Sequence, residues 1–520
     1  MEAASVPIGE PTEAPQPPDI GALARAAGRG VLWRSCAKVG AQGLDALAKL
    51  ILARLLAPRH FGLVGMATIV TGLVGVFSEL GLSAAIVQRK DLEERHRSSG
   101  FWLNIATGVV LCGVGFALAP LATRYFREPG VAAIVQVLSV TFVISSTAIV
   151  QASLLQRALR FRDLAVRDLL GVIAGGATAI VLALLGFGVW ALVWGSVAGL
   201  TVSTIALWLI GDWCPRLYFD RGSAGELFNF GGKVLGTQLV NYAIRNFDYF
   251  VIGRVLGAGA LGLYTLAYKM LLLPLDQVTR VVCAVLFPAL SQVQRHDSLV
   301  NRAYLKAVGY IAALTLPVEA GIFAVAPEAV RSLLGAKWEG AILPMRIFCL
   351  TAALQSIGAP VWTAVDAKGR PDLSLKWTCG FVGFQIAAIL LGVRYEIVGV
   401  AVGITGLSVL AFPVAQRIGF RVTGTRWGEF WSAVAPSALG AGIMLASLLT
   451  LKQCVAPSVV GGIPRLAMLV VVGVAVYAGY ARLSTKHPAR EMLELLRSLR
   501  HAPPGSTEVA PEEAKGGGAN

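Results

Sequence analysis

Charged residues are scarce in this chain of 520 residues. Asp, Glu, Lys and Arg together make up 14% of it, whereas hydrophobic residues make up 56%. A soluble protein of this length carries far more charge on its surface. The composition therefore excludes an ordinary soluble globular protein and favours a polytopic membrane protein.

Residues that could build a metal site or a disulfide framework are also few and scattered. The seven cysteines show no paired spacing, so we interpret them as packing residues. All five histidines lie in predicted loops or tails, which leaves no imidazole cluster within the membrane. We therefore predict no metal and no cofactor.

Two further absences exclude whole classes of function. The sequence has no GxxxxGK[ST] motif, so it cannot hydrolyse nucleotide through a phosphate-binding loop of that type. The predicted external loops are no longer than about 15 residues, which leaves little room for an extramembrane catalytic domain. We predict that the protein is not an enzyme.

Apolar stretches of about 20 residues, enough for a helix to cross the membrane, recur along nearly the whole chain. Barrel strands would instead alternate over about 10 residues, a pattern that is missing here. We predict an all-α polytopic membrane protein with about 14 transmembrane helices. The predicted spans are 30–56, 61–87, 100–121, 131–155, 165–187, 189–211, 229–253, 260–289, 304–325, 341–364, 374–393, 396–416, 429–451 and 461–481.

Basic residues predict the orientation of these spans. Most of the 45 lysines and arginines fall in the termini and in the loops after even-numbered spans. The positive-inside rule then places both termini in the cytoplasm. The net charge of +15 therefore mostly reflects basic residues placed on the cytoplasmic side of the membrane. We predict no nucleic-acid partner. Residues 1–22, rich in proline and acids, form a predicted disordered cytoplasmic tail, and residues 483–520 form a second cytoplasmic tail.

One segment of the chain occurs twice. ILARLLAPRHFGLVGMA at 51–67 returns 200 positions later, without a gap, as VIGRVLGAGALGLYTLA at 251–267. Arg54 corresponds to Arg254 and Gly62 to Gly262. The repeat predicts one membrane unit used twice, a common construction in transporters, whose substrate sites lie between the repeats.

The first span carries a polar stripe. Arg34, Lys38, Asp45 and Lys49, together with Gln42, fall on one helical face. Each charge in a span costs about 2.5 to 3.5 kcal/mol, so this face should line water, a partner helix or a substrate. The alternative is that Asp45 and Lys49 only pair at i,i+4 while Arg34 reaches the inner headgroups.

The seventh and eighth spans have polar faces of their own. Arg245 lies on one face of the seventh span, with Asp248 beside that face. Lys269, Asp276 and Arg280 share a face of the eighth, although a structural pair between Asp276 and Arg280 is an equally good interpretation. The second span holds Glu79. A cavity lined by these bases would suit an anionic substrate such as a phosphate ester.

Three segments resemble bacterial polysaccharide flippases of the Wzx type, in the multidrug/oligosaccharidyl-lipid/polysaccharide exporter superfamily. They are LSAAIVQRKD at 82–91, LAPRHFGLVGM at 56–66 and LLQRALRFR at 154–162. The resemblance covers residues 30–480. It implies two six-helix lobes as parallel repeats, at 30–211 and 229–416, followed by two additional transmembrane helices within 429–481.

The resemblance also implies a function. Members of this family move undecaprenyl-pyrophosphate-linked oligosaccharides from the inner to the outer leaflet of the bacterial cytoplasmic membrane through a cationic cavity. The substrate-binding bases expected here are Arg34, at the cavity entrance, and Lys38, Lys49, Arg245, Lys269 and Arg280. The acids expected to couple ions or to line the cavity are Asp45, Glu79, Asp248 and Asp276.

Expected partners are the lipid-linked oligosaccharide, membrane lipids, and the polysaccharide polymerase and chain-length machinery. Protons, sodium ions and membrane potential all remain candidate driving forces. The alternatives are a cation-coupled multidrug exporter of the same superfamily, a membrane glycosyltransferase or polymerase, and a passive scramblase or lipid II carrier. A drug exporter would favour an acidic, aromatic cavity, and a transferase would need catalytic groups on a substantial aqueous loop.

Overall fold

The structure is a computed structural model that describes residues 40–78, 86, 93–218, 220–455, 461–484, 487–488 and 491. The side chains of 221–235, 237 and 270–277 lie outside this description. Within the described residues the chain is built from helices, and 14 of these are long. They are α1 (40–55), α2 (Pro58–Gly75), α3 (Glu94–Phe126), α4 (Gly130–Arg157), α5 (Phe161–Leu184), α6 (Val189–Ile210), α7 (Arg221–Val255), α8 (Gly257–Gln292), α9 (Asp297–Ala329), α10 (Ile342–Ala367), α11 (Pro371–Gly392), α12 (Glu396–Thr423), α13 (Trp427–Cys454) and α14 (Gly462–Leu483).

Each of the 14 helices overlaps one predicted span, in the predicted order, which confirms the all-α polytopic membrane fold. Among the described residues, nine stretches are long and apolar enough to cross a membrane, and one of them, Pro371–Thr423, includes both α11 and α12. The long helices outside these nine stretches are α1, α2, α7 and α8. They correspond to the spans in which the sequence places the candidate charged residues.

Several helices begin earlier than the predicted spans, because polar residues form their first turns. His60 lies in the first turn of α2, and its ring Nδ1 accepts a hydrogen bond from the backbone N–H of Ala57. His96 lies in the first turn of α3, and its Nδ1 accepts one from the backbone N–H of Glu93. Such a bond satisfies one of the N–H groups that a helix start leaves without a partner. Burial lowers the pKa of His60, and the charges of Lys337 and Arg59 lower it further.

The described residues form two compact units. The first contains those up to Leu52, Val70–Leu121 and Ala132–Tyr242. Its helices α5 and α6 pack through glycine, since a Cβ on Gly171 or Gly175 would lie 2.9 Å from a carbonyl oxygen of Gly199 or Gly195. The close spacing of small residues that the sequence shows in α5 is therefore used for helix packing.

The second unit contains Ala53–Ile69, Ala122–Val131 and the chain from Ala243 onward. One apolar core of this unit joins α8, α9, α10, α12 and α13 around Tyr304, Phe420 and Phe430. The unit thus includes short segments from the first half of the sequence packed with the second half. The division into two six-helix lobes at 30–211 and 229–416 remains a prediction.

Candidate functional site

The candidate residues of α1 are described in part. Arg34 and Lys38 lie outside the described residues, whereas Asp45 and Lys49 form an ion pair one helical turn apart. Their side chains are 46% and 58% exposed, so the pair is on an open face of the helix and not in a packed core. The i,i+4 pairing anticipated from the sequence is present, and it leaves Lys49 partly neutralised by its neighbour.

The bases of α7 and α8 are exposed. Arg245, Lys269 and Arg280 all present their side chains at the surface of the protein. Among the described side chains, none places a carboxylate within ion-pair distance of Arg245. Arg245 therefore keeps a full guanidinium fork, with five N–H donors, for an anionic group.

The candidate acids differ in their surroundings. Glu79 lies outside the described residues, and Asp276 is on α8 with its side chain undescribed. Asp248 is only 6% exposed and accepts a hydrogen bond of 2.7 Å from the hydroxyl of Tyr264. The structure thus buries the Asp248 side chain inside the second unit, whereas Arg245 on the same helix is exposed.

Aromatic rings surround Asp248. Tyr264 packs edge-on against Tyr249 and stacks with Tyr268, and Phe348 of α10 packs edge-on against both Tyr264 and Tyr268. Such rings fix the tyrosine hydroxyl in position and exclude lipid from the carboxylate. Asp248 is therefore enclosed by aromatic residues and held by the hydroxyl of Tyr264.

Sequence reasoning missed a second buried acid, Glu319 of α9. Glu319 is only 3% exposed. Neither of its carboxylate oxygens has a hydrogen-bond partner of good geometry among the described residues. The thiol of Cys349 on α10 is a polar neighbour. The apolar sequence around Glu319, LPVEAGIF, could have singled it out, because an isolated acid in a membrane helix is a functional candidate by default.

No group of three or more potential metal ligands occurs in the described part of the chain. The geometry instead offers exposed cationic side chains on helices and two buried carboxyl groups. Exposed guanidinium and ammonium groups can bind phosphate oxygens, and buried acids can exchange protons or hold a helix in place. These are properties of a binding and transport surface.

The family is decided by a match over more than half of the chain. Residues 51–343 match the family model described as polysaccharide biosynthesis protein. The chain belongs to this family. The matched region includes Arg245, Asp248 and the candidate charged residues of α8, whereas Asp45 and Lys49 precede it.

Similar proteins of polysaccharide biosynthesis come from several bacteria. The chain is 27% identical to the lipopolysaccharide biosynthesis protein WzxC of Escherichia coli K12, over 70% of this chain and 74% of that protein. It is 27% identical to the teichuronic acid biosynthesis protein TuaB of Bacillus subtilis 168, over 65% and 73%. It is 30% identical to the succinoglycan biosynthesis transport protein ExoT of Rhizobium meliloti 1021, over 60% and 63%. The resemblance to Wzx-type proteins is therefore confirmed.

Solved structures show the same fold. The lipid II flippase MurJ, in an inward closed conformation, aligns with a TM-score of 0.69 over 90% of this chain and 100% of its own, at 15% identity. An inward-facing multidrug resistance MATE transporter aligns with a TM-score of 0.55 over 74% and 96%, at 19% identity. This member of the polysaccharide biosynthesis family is thus a multi-pass membrane protein that shares the fold of those two solved structures.

Proposed function

We propose that the protein translocates an undecaprenyl-pyrophosphate-linked oligosaccharide from the inner to the outer leaflet of the bacterial cytoplasmic membrane. The observation that carries this proposal is the family match over 51–343, together with relatives named for three different polysaccharides. Proteins that serve different glycans can share one task if they recognise the carrier lipid and its pyrophosphate. We also propose that both termini are cytoplasmic, as the positive-inside rule predicts.

Charge explains why such a protein is needed. The idealised cost of moving one phosphate charge into hydrocarbon is of order 20 kcal/mol, and the glycan hydroxyls add to it. Exposed bases on α7 and α8 would replace water around the pyrophosphate, with Arg245 the strongest candidate. Lys49 would contribute less, because Asp45 already neutralises part of its charge. Arg34 and Lys38 complete the proposed set.

Alternating access would carry the bound headgroup across while the polyprenyl tail stays in lipid. No bond is broken in this cycle. Among the acids, Asp45, Glu79, Asp248 and Asp276 remain the proposed coupling or cavity residues, and the buried carboxyl of Glu319 joins them. A polysaccharide polymerase and chain-length proteins would receive the product. Export of cationic drugs is disfavoured by the exposed bases.

Depletion of the protein tests the proposal. Lipid-linked oligosaccharide should accumulate on the cytoplasmic leaflet, measured as glycan that a membrane-impermeant glycosidase reaches in inside-out vesicles but not in right-side-out vesicles. The carrier-linked glycan should return to the outer leaflet when expression is restored. An unchanged leaflet distribution after depletion would contradict the proposal.

A further inference from the structure

Helices α11 and α12 touch closely at one end and leave a groove at the other. A Cβ on Gly392 would lie 2.5 Å from the carbonyl oxygen of Gly399, and one on Gly403 would lie 2.8 Å from that of Ala388. These glycines let the two backbones meet. At the opposite end the helices enclose a groove of about 480 Å³, which we name the basic groove. It is lined by Arg370, Leu373, Lys376, Trp377, Ile418, Arg421 and Val422.

The walls of the basic groove are apolar. Leu373 and Trp377 line it from α11, and Ile418 and Val422 line it from α12. Each pair is four residues apart, so both members lie on one face of their helix. The indole of Trp377 also stacks on Trp362 of α10, with ring centroids 5.4 Å apart. Each helix thus offers the groove an apolar wall.

The basic groove carries more positive charge than its surroundings neutralise. Asp372 forms ion pairs with Arg370 at 3.1 Å and with Lys376 at 3.9 Å. In the part of the chain that the structure describes, no carboxylate lies within ion-pair distance of Arg421. Three bases against one acid leave two positive charges at the groove. The guanidinium of Arg421 keeps its N–H donors for an anionic group.

The surface on which the basic groove opens is suited to lipid. Leu375 and Phe384 of α11 and Leu410 and Val414 of α12 are all exposed. The stretch Pro371–Thr423 is apolar enough to lie in a membrane, so these side chains contact acyl chains there. A free phosphate ion would gain nothing from apolar walls and apolar surroundings. The groove fits a molecule that has both an anionic head and hydrocarbon chains.

Bases are concentrated at the end of α11 and α12 that carries the groove. Arg417 lies one turn before Arg421, and Lys368 and Arg426 flank the helix pair in the chain. The turn at the opposite end has one base and one acid, Arg394 and Glu396. The positive-inside rule places the groove end at the cytoplasmic headgroups. Basic pockets between membrane helices on that side are sites for anionic phospholipid heads.

We propose that the basic groove binds one anionic phospholipid, whose phosphate lies at Lys376 and Arg421 and whose acyl chains cover the apolar walls. The lipid is a resident ligand of the protein and not the translocated molecule. The site stands apart from the proposed function. Unchanged leaflet distribution on depletion would refute that function and leave the phospholipid site standing.

The test measures lipid binding to the full-length protein by native mass spectrometry. The delipidated protein in detergent is titrated with phosphatidylglycerol and, separately, with phosphatidylcholine of the same acyl chains. Each unpaired base near a headgroup should favour the anionic lipid about fivefold. The two unneutralised charges of the groove should therefore make the first phosphatidylglycerol bind about 25-fold more tightly than phosphatidylcholine.

Substitutions locate the bound lipid. Arg421→Gln should weaken phosphatidylglycerol binding about fivefold and leave phosphatidylcholine binding unchanged, whereas Arg421→Lys should keep most of the affinity. The matched control is Arg417→Gln, which removes the same charge from an exposed position of α12 outside the groove and should change the affinity less than about twofold. Val422→Trp fills the groove without changing its charge, and it should also weaken phosphatidylglycerol binding.

Three results would overturn the phospholipid site. They are equal affinities for the two lipids, equal losses in Arg421→Gln and Arg417→Gln, and displacement of bound phosphatidylglycerol by an equimolar amount of undecaprenyl phosphate. The last result would assign the groove to the carrier lipid. The variants with glutamine lie at exposed positions and should melt at the wild-type temperature, so they decide the test if Val422→Trp does not fold.

Discussion

At the scale of single residues, partners decide which charges are available for binding. Asp45 and Lys49 hold each other, Asp248 is held by Tyr264, and Arg245 is exposed. Sequence spacing offered the first pair as an alternative to a substrate-lining face, because residues four apart share a helical face. It could not predict the burial of Asp248 or of Glu319, since burial depends on which helices pack around them.

Arg245→Ala should abolish polysaccharide export while the protein still inserts in the membrane. The alanine removes an exposed guanidinium that we propose binds the pyrophosphate, whereas Arg245→Lys should keep part of the activity as a single point charge. Export is measured as polymer per cell at matched protein level. Arg394→Ala, which removes an exposed arginine from the turn before α12, is the control and should export normally. Normal export by Arg245→Ala would remove this residue from the site.

Glu319→Gln should preserve thermal stability, because an uncharged isostere suits a buried position where the described residues offer the carboxylate no cation and only the weak thiol donor of Cys349. Glu319→Lys should be strongly destabilised, since it buries an unpaired ammonium. The melting temperature of the detergent-solubilised protein measures both effects. If Glu319→Gln melts as low as Glu319→Lys, the carboxyl group has a structural partner and our account of it is wrong. Lost export with retained stability would support a coupling role.

At the scale of helices, glycine allows backbones to meet. Hydropathy predicted the position of every long helix, because each must cover about 30 Å of hydrocarbon. Gly171 and Gly175 of α5 lie four positions apart, a spacing typical of close helix packing, and the structure shows that their partner is α6. The Val330–Leu334 and Ala336–Ala341 turns could not be foreseen, since they depend on hydrogen bonds to α1, far away in sequence.

Gly175→Val should destabilise the first unit by about 1 to 3 kcal/mol, because the new side chain overlaps the backbone of α6 at Gly195 and Gly199. The expected result is a melting temperature several degrees lower in detergent. Gly113→Val on α3 is the matched control, as a Cβ there meets nothing within 4 Å. Equal melting temperatures for the two variants would show that the α5 and α6 contact does not require glycine.

At the scale of the whole molecule, the described residues contain 14 long helices, and this even number predicts the topology. Both termini should lie on one face of the membrane, with the turn after α1 on the other face and the turn after α4 on the same face as the termini. Alkaline phosphatase, active only outside the cytoplasm, should be active when fused after Ala57 and inactive when fused after Leu159. The reverse pattern would invert the predicted orientation.

Two glycine contacts, of Gly62 with the carbonyl of Ala258 and of Gly262 with the carbonyl of Pro58, are equivalent in the repeat and restrict how this protein can change length. One residue inserted in the turn before Pro58 or before Ala258 would shift that turn out of register and disturb both contacts together. This explains why the repeat aligns without a gap across 51–67 and 251–267, although the halves differ in many side chains. Substitutions can accumulate there one at a time, but an insertion or deletion would have to occur in both halves at once.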